Sequence, residues 1–467
     1  MKPGLVLALV LVSALAVECA VSSSGKATPA GSAPAAAAAS VSRNRAAWAG
    51  RVRGEFLHAW RAYERLAWGR DELRPVSRTG HDWYGESLLM TPVDSLDTML
   101  LMGLTQEAEK AKALVVEKLS FDRDLFVKNF EVTIRLLGGL LSSYQMTGDR
   151  RLLALAEDLG TRLLPAFGSP TGMPWMYVNL KTGQVKGARS NPAEIGTLLL
   201  EFGTLARLTE KPVFFEKAKK AVVAMYGRRS PLGLPGEEID VETGQWASRQ
   251  SHVGGGIDSY YEYLLKSARL FGDADLERMW RESVRALNAR LADEAPTGLW
   301  YGQVDMDTGR RTAAEFGALH AFLPAVLALG GDLGRARRLQ ESCFRMWSLE
   351  GIEPEVLDYR AMRILQPGYQ LRPEIIESAY YLFRYTREPR YLEMGRTFFE
   401  ALVAHCRTED GYTVLKDVRT KEKGDLMPSY FLAETLKYLY LLFAPEETLD
   451  LRSVVLNTEA HPLRRTW

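Results

Sequence analysis

The chain has 467 residues, and 59 Lys and Arg stand against 58 Asp and Glu, a formal net charge of +1. That balance leaves no excess of either sign to draw in nucleic acid or an anionic membrane surface, so neither is expected as a partner and an uncharged substrate is favoured. Aromatic residues make up 10% of the sequence, with 10 Trp and 19 Tyr, which suits stacking on sugar faces and equally suits the core of a large helical protein.

Residues 1–16 read as a signal peptide: Lys2, an apolar run over 5–16, and Ala14-Leu15-Ala16 as a small-x-small cleavage site. The run is too short to cross a bilayer, and no transmembrane segment is expected. A second reading takes 1–18 as the leader of a lipoprotein with Cys19 as the lipid anchor, against which Glu18 is a poor neighbour. Residues 17–43, rich in Ala, Ser and Pro, offer nothing to bury and are expected as disordered linker, leaving 44–467 as a single folded domain. Export then places the protein in the periplasm, on the outer membrane or outside the cell. A bacterial source is favoured by the short leader, the Ala/Arg-rich composition and the lack of Asn-x-Ser/Thr sites. Beyond Cys19 only Cys343 and Cys406 remain, too few for a disulfide framework, with one bridge left open.

Along the folded part a short phrase recurs between two helical stretches: Met146-Thr147-Gly148-Asp149, Leu208-Thr209-Glu210-Lys211, Leu270-Phe271-Gly272-Asp273, Leu329-Gly330-Gly331-Asp332 and Tyr385-Thr386-Arg387-Glu388. Their second positions are spaced 62, 62, 59 and 56 residues apart, a helical-hairpin repeat with a period near sixty. Stretches before the phrase, such as 194–208 (EIGTLLLEFGTLARL), are nearly all apolar. Those after it, such as 274–292, carry charge on one face. The contrast predicts an inner and an outer layer, with inner helices starting near Asp94, Glu131, Glu194, Asp258, Glu315, Glu374 and Ser429 and an outer helix at 46–68. Seven such hairpins close an all-α ring. Long Gly/Pro-bearing connections at 165–192, 228–256, 296–314 and 351–373 carry short β-hairpin phrases, and loops of that length are usually functional.

An acidic residue opens nearly every expected inner helix: Asp94, Glu131, Glu194, Asp258, Glu315 and Glu374 are spaced 37, 63, 64, 57 and 59 apart, with Glu434 another 60 on. One carboxylate at a helix N-terminus needs only the helix dipole to explain it. A whole set converging on one mouth repels itself unless it serves a cation or shares protons. Such a rim suits a hard cation with oxygen ligands, calcium more readily than zinc, and suits equally the two carboxyl groups of a glycosidase. No Gly-x-Ser-x-Gly elbow is present and the six His are scattered, so a nucleophilic triad is not supported.

Seven phrases in order resemble glycoside hydrolase family 47, the class I α-mannosidases, over residues 46–463: 94–98 (DSLDT), 130–142 (FEVTIRLLGGLLS), 193–197 (AEIGT), 258–266 (DSYYEYLLK), 371–378 (LRPEIIES), 432–443 (LAETLKYLYLLF) and 457–462 (NTEAHP). The resemblance implies an (α/α)7 barrel with loops and β-hairpins at the active-site mouth, bound Ca2+, and exo-acting, inverting hydrolysis of terminal α-1,2-linked mannose on oligomannose-type glycans; a monomer is expected. By the same resemblance Glu131 is the general acid, Glu374 the base and Asp258 the third catalytic carboxylate. Thr458 is the metal ligand, with waters held by Glu377, Glu434 and Glu459. Arg135, Glu194, Arg372 and Tyr430 complete the expected substrate contacts. Two stretches depart from most of the family. Gly317-Ala318-Leu319-His320-Ala321 has neither the usual Asp-His nor the Cys that pairs with the position of Cys343, and looks like the degradation-enhancing mannosidase-like subgroup. Gly254-Gly255-Gly256-Ile257 stands where the oligomannose-trimming endoplasmic reticulum enzymes carry an Arg. The competing reading is a glycan-binding, lectin-like protein of the same fold, and behind it a lyase or epimerase on an α/α barrel.

Overall fold

A computed structural model describes residue 41 and residues 44–465. The leader, Cys19 and almost all of the expected linker lie outside the described residues. The helices form two concentric layers. The inner layer comprises Met90–Asp94 continued by Leu96–Leu101, Asn129–Val132 continued to Thr147, Pro192–Gly196 with Leu199–Thr209, Asp258–Phe271, Ala318–Phe322 with Leu323–Leu329, Glu374–Thr386, and Phe431–Thr435 with Leu436–Phe443. The outer layer comprises Arg45–Leu66, Thr105–Lys118, Arg150–Leu163, Pro212–Tyr226, Ala274–Arg290, Leu333–Ser348 and Pro389–His405. The ring closes where the first outer helix meets the last inner one: Arg45 donates to the carbonyl oxygens of Leu442 and Ala444, and Trp48 packs its ring on Phe443.

All five turn phrases fall at inner-to-outer junctions, because each supplies a stop and a start. Gly148 and Gly272 take positive φ of 74° and 67°, ending one helix in the left-handed conformation that glycine adopts without strain. Asp149 and Asp273 then cap the next helix, accepting from the amides of Arg151 and of Asp275 and Leu276. Glu210 and Arg387 adopt the same conformation without glycine, at φ of 58° and 62°.

The long connections run from each outer helix to the next inner one, and short sheets stitch neighbouring connections together. Phe126–Lys128 pairs with Tyr177–Asn179, Arg189–Ser190 with Glu238–Asp240, Gln250–Ser251 with Gln303–Asp305, and Glu315–Gly317 with Val356–Asp358. The result is a collar around the mouth at the N-terminal ends of the inner helices. Into the centre of the ring runs a last hairpin, Val454–Leu456 against Pro462–Arg464, whose turn residues Asn457, Glu459, Ala460 and His461 are buried.

Two expectations about the acidic series are corrected. Glu315 does not open an inner helix; it lies in a collar strand, with Gln303 donating to it, and the helix starts three residues later at Ala318. Asp94 closes the short helix Met90–Asp94 rather than opening one, and its side chain is fully buried beneath the site. Cys343 and Cys406 are both buried and unbridged.

Candidate active site

Every site residue expected from the sequence lines one cavity of about 290 Å³ inside the collar: Glu131, Arg135, Glu194, Asp258, Arg372, Glu374, Glu377, Tyr430, Glu434, Thr458 and Glu459. Local backbone chemistry explains how they converge. Glu131 stands in the first turn of its helix, Glu194 is presented by a turn in which Asn191 caps its amide at 2.9 Å, and Glu374 follows Pro373 at a helix start. Arg135 and Glu434 sit in the two π-helical turns of the inner layer, Thr133–Leu137 and Phe431–Thr435; such widened turns recur at functional sites.

On one side Arg135 organises the cavity. It binds Glu131 at 3.1 Å, contacts Glu459 directly, approaches Asp94 at 3.6 Å, and lies between the rings of Trp83 and Tyr430 at 5.2 and 5.5 Å. Next to it Lys128 pairs with Glu194 at 2.6 Å. Asp258 accepts from the amide and hydroxyl of Ser259, at 2.6 and 3.1 Å. On the other side Arg372 pairs with Glu355 at 3.0 Å, and Tyr430 donates to the carbonyl of Gln370 at 2.6 Å. Glu377 accepts from Tyr438 at 3.1 Å and faces Lys266 at 3.5 Å, the latter also paired with Glu262.

The cavity lining holds eight carboxyl groups, with Glu262 added to those expected, against three cationic side chains. Eight ionised carboxylates repel one another strongly in so small a space, and the direction in which each pKa moves shows how that repulsion is relieved. Burial, with Glu355 and Glu377 adding to it and Arg372 opposing, pushes Glu374 up to about 8. Burial takes Glu194 and Glu377 to about 7 despite their lysines, and Asp258 to about 6. Glu434 and Glu459 go well above the usual carboxylate range, through burial and their acidic neighbours.

A divalent cation relieves the same surplus by attraction. Among the described residues no three His, Cys, Asp or Glu side chains close on one point as direct ligands. What the lining offers a cation is oxygen: the half-buried Thr458 together with Glu377, Glu434 and Glu459. That chemistry fits a hard, hydrated ion such as calcium.

Several residues of the site went unread in the sequence. Glu262 lies one helical turn after Asp258, and Lys128 stands three residues before Glu131, spacings that would have pointed to both. Glu355 comes from an irregular stretch with no such signal, and Leu319 and Phe322, in the short helix Ala318–Phe322, are apolar residues like any other of the inner layer.

The family model described as glycosyl hydrolase family 47 matches residues 55–465. Alpha-mannosidase I MNS4 of Arabidopsis thaliana is 41% identical over 407 residues, covering 84% of this chain and 64% of its own length. The ER degradation-enhancing alpha-mannosidase-like protein 2 of Homo sapiens is 37% identical over 449 residues, covering 88% of this chain and 77% of its own length. Among solved structures an alpha-1,2-mannosidase from Trichoderma reesei superimposes with a TM-score of 0.83 at 27% identity, over 90% of this chain and 99% of that one. The chain belongs to glycosyl hydrolase family 47 and has that family's (α/α)7 barrel.

Proposed function

We propose that the protein is a calcium-dependent α-mannosidase that removes terminal α-1,2-linked mannose from oligomannose-type glycans with inversion at the anomeric carbon. The observation that carries this reading is the placement of Glu131 and Glu374 on the second and sixth of seven inner helices, facing one cavity from nearly opposite sides. A retaining mechanism needs carboxyl groups about 5–5.5 Å apart, whereas an inverting pair stands roughly 6.5–9.5 Å apart to admit a water. Glu374 takes a proton from that water as its oxygen bonds to the anomeric carbon. Glu131, held by Arg135, supplies the proton that leaves with the glycosidic oxygen, directly or through a water. Asp258 adds negative charge where the ring becomes cationic, and Tyr430 offers an apolar face to the sugar.

Glu374 must be ionised to act, and Arg372 and any cation in the cavity both pull its proton affinity down. Thr458 would hold calcium through its hydroxyl and carbonyl oxygens, with waters on Glu377, Glu434 and Glu459. Calcium, when bound, supplies positive charge and chelation of sugar hydroxyls. Retention of Glu131, Asp258, Glu374 and Thr458 in a single cavity favours turnover over a purely lectin-like role. Among the described residues no helix is long and apolar enough to cross a membrane, and export through the N-terminal leader, with or without lipid on Cys19, is part of the proposal.

The test is an NMR time course on α-1,2-, α-1,3- and α-1,6-mannobiose with and without calcium. β-Mannose as the first product, from the α-1,2 isomer and only with calcium, is expected; α-mannose first would overturn the assignment of the pair.

A further inference from the structure

Thr458 is carried by a turn between two strands of three residues each, and a hairpin that short does not hold its own shape. What holds it comes from the ring. Asn457 Oδ1 accepts from the amides of Glu459 and His461 at 3.0 and 2.7 Å, which closes the turn on itself. Its Nδ2 donates outward, to the carbonyl of Ile134 at 3.0 Å and to Glu201 Oε1 at 2.7 Å. The Thr458 amide donates to the hydroxyl of Tyr263 at 3.4 Å, and that hydroxyl donates in turn to the same Glu201 oxygen at 2.5 Å. One carboxylate oxygen thus ties both residues of the turn, Asn457 directly and Thr458 through Tyr263. The turn has no slack beneath it, since a Cβ on Gly138 would fall 2.7 Å from Asn457 Nδ2.

We propose that Glu201 and Tyr263 are positioning residues that set the height and orientation of Thr458 at the cavity floor, and so govern how tightly that floor binds a divalent cation. Neither lines the cavity, and both are buried, on the third and fourth inner helices, so they act through the turn without touching a sugar. The hydroxyl of Tyr263 is fixed as acceptor toward Thr458 because its own hydrogen is donated to Glu201. Removing either end frees the Thr458 amide and lets its oxygens wander.

This rests on the calcium reading, and the experiment separates the two. Chelator-treated full-length protein is titrated with calcium alone, followed by calorimetry and by the thermal midpoint. Wild type is expected to bind and to be stabilised. Tyr263→Phe and Glu201→Ala are expected to bind calcium roughly 10–100-fold more weakly, the usual cost of losing a partner behind a metal ligand. Glu201→Gln keeps a carbonyl oxygen for both donors and is expected to stay near wild type. The calcium concentration for half-maximal hydrolysis should rise by the same factors as the binding constant. If wild type neither binds nor is stabilised, the calcium reading and this proposal fall together. If wild type binds and Tyr263→Phe and Glu201→Ala bind equally well, only this proposal falls. Should Tyr263→Phe not fold by circular dichroism, the Glu201→Ala and Glu201→Gln pair decides, and equal affinity in the two overturns it.

Discussion

Two buried groups of charge lie side by side on the C-terminal turn and have opposite balance. Beneath the cavity, Asp97 accepts from His461 at 2.7 Å and Ser142 at 2.8 Å and pairs with Lys437 at 2.8 Å, while His461 reaches Asp94 at 3.1 Å. Burial alone would raise Asp97, but Lys437 and His461 outweigh it and hold its carboxyl at about 2. Two acids meet two bases there, and the cluster is a fastener. A turn away, the cavity gathers eight carboxyl groups against three cations, and its acids are pushed upward. The lower cluster is sealed from solvent whereas Glu131, Asp258 and Glu374 are only partly buried at the cavity wall, and the two groups differ above all in neutralisation. A buried charge cluster that is balanced holds a fold together, whereas one left unbalanced waits for a ligand.

The largest way to break the comparison is to neutralise the two carboxyl groups proposed as acid and base. Glu131→Gln and Glu374→Gln are expected to cut kcat by about 10²–10⁴-fold each, the range for losing a proton-transfer group, with the fold retained because each amide keeps the shape of the acid it replaces. A variant with near wild-type kcat would strip that residue of its role. Next in size is the converse cut. Lys437→Met leaves Asp97 short of its cation inside the core and should cost about 3–5 kcal/mol in chemical denaturation, with any lost activity tracking lost fold. Stability within 1 kcal/mol of wild type would show that the lower cluster is no fastener.

Much of this was legible in the sequence, and the failures have physical reasons. The turn phrases located the hairpin junctions because capping is local chemistry, read from Gly148-Asp149 or Gly272-Asp273 alone. The acidic period found Glu131, Glu194, Asp258, Glu374 and Glu434 because each inner helix starts at the same mouth. It misplaced Glu315 because a collar strand occupies the position where the period expects a helix. Glu201 was read simply as part of an apolar helix, since its partners Tyr263 and Asn457 lie 62 and 256 residues away and only the closed ring brings them together. The pairing of one collar connection with the next was equally invisible, although the individual hairpin turns, with Asp240 or Asp305 accepting from the amides that follow, were not.

The two clusters should also pull the pH dependence of stability in opposite directions in metal-free protein. Glu374, Glu377 and Glu194 hold protons in the folded state up to about 8, 7 and 7, against about 4.5 when unfolded. The folded state therefore binds more protons in that window, and stability falls as pH rises from about 4.5 to 8. Asp97 runs the other way: its folded value near 2 lies below 3.8, so its contribution is lost as pH falls from about 4 to 2. Each proton of difference is worth about 1.4 kcal/mol per pH unit. The thermal midpoint of chelated protein should peak near pH 4–5, and calcium should flatten the alkaline decline by favouring the ionised carboxylates. A midpoint that rises steadily from pH 5 to 8 without calcium would contradict the picture of an unbalanced cavity.

The smallest effect concerns an acid that belongs to neither cluster. Glu353 is fully buried, does not line the cavity, and neither of its carboxyl oxygens has a hydrogen-bond partner. Burial, then Glu374 and Glu355, drive its pKa well up, so it is carried as a neutral acid whose polar atoms still pay for leaving water. Two residues on, Glu355 takes the Arg372 ion pair and the Gln370 amide, so Glu353 is not needed for either. Leucine has similar bulk and nothing to satisfy. Glu353→Leu is expected to gain about 1–3 kcal/mol in denaturant unfolding at an unchanged m-value, the cost of a buried unsatisfied group. Glu353→Gln keeps two orphaned polar atoms and should gain nothing, which separates relief of the polar group from relief of charge. A loss of stability in the leucine variant would mean that the carboxyl is satisfied by buried water and is held for Glu374, in which case the unbalanced region extends beyond the cavity wall to Glu353.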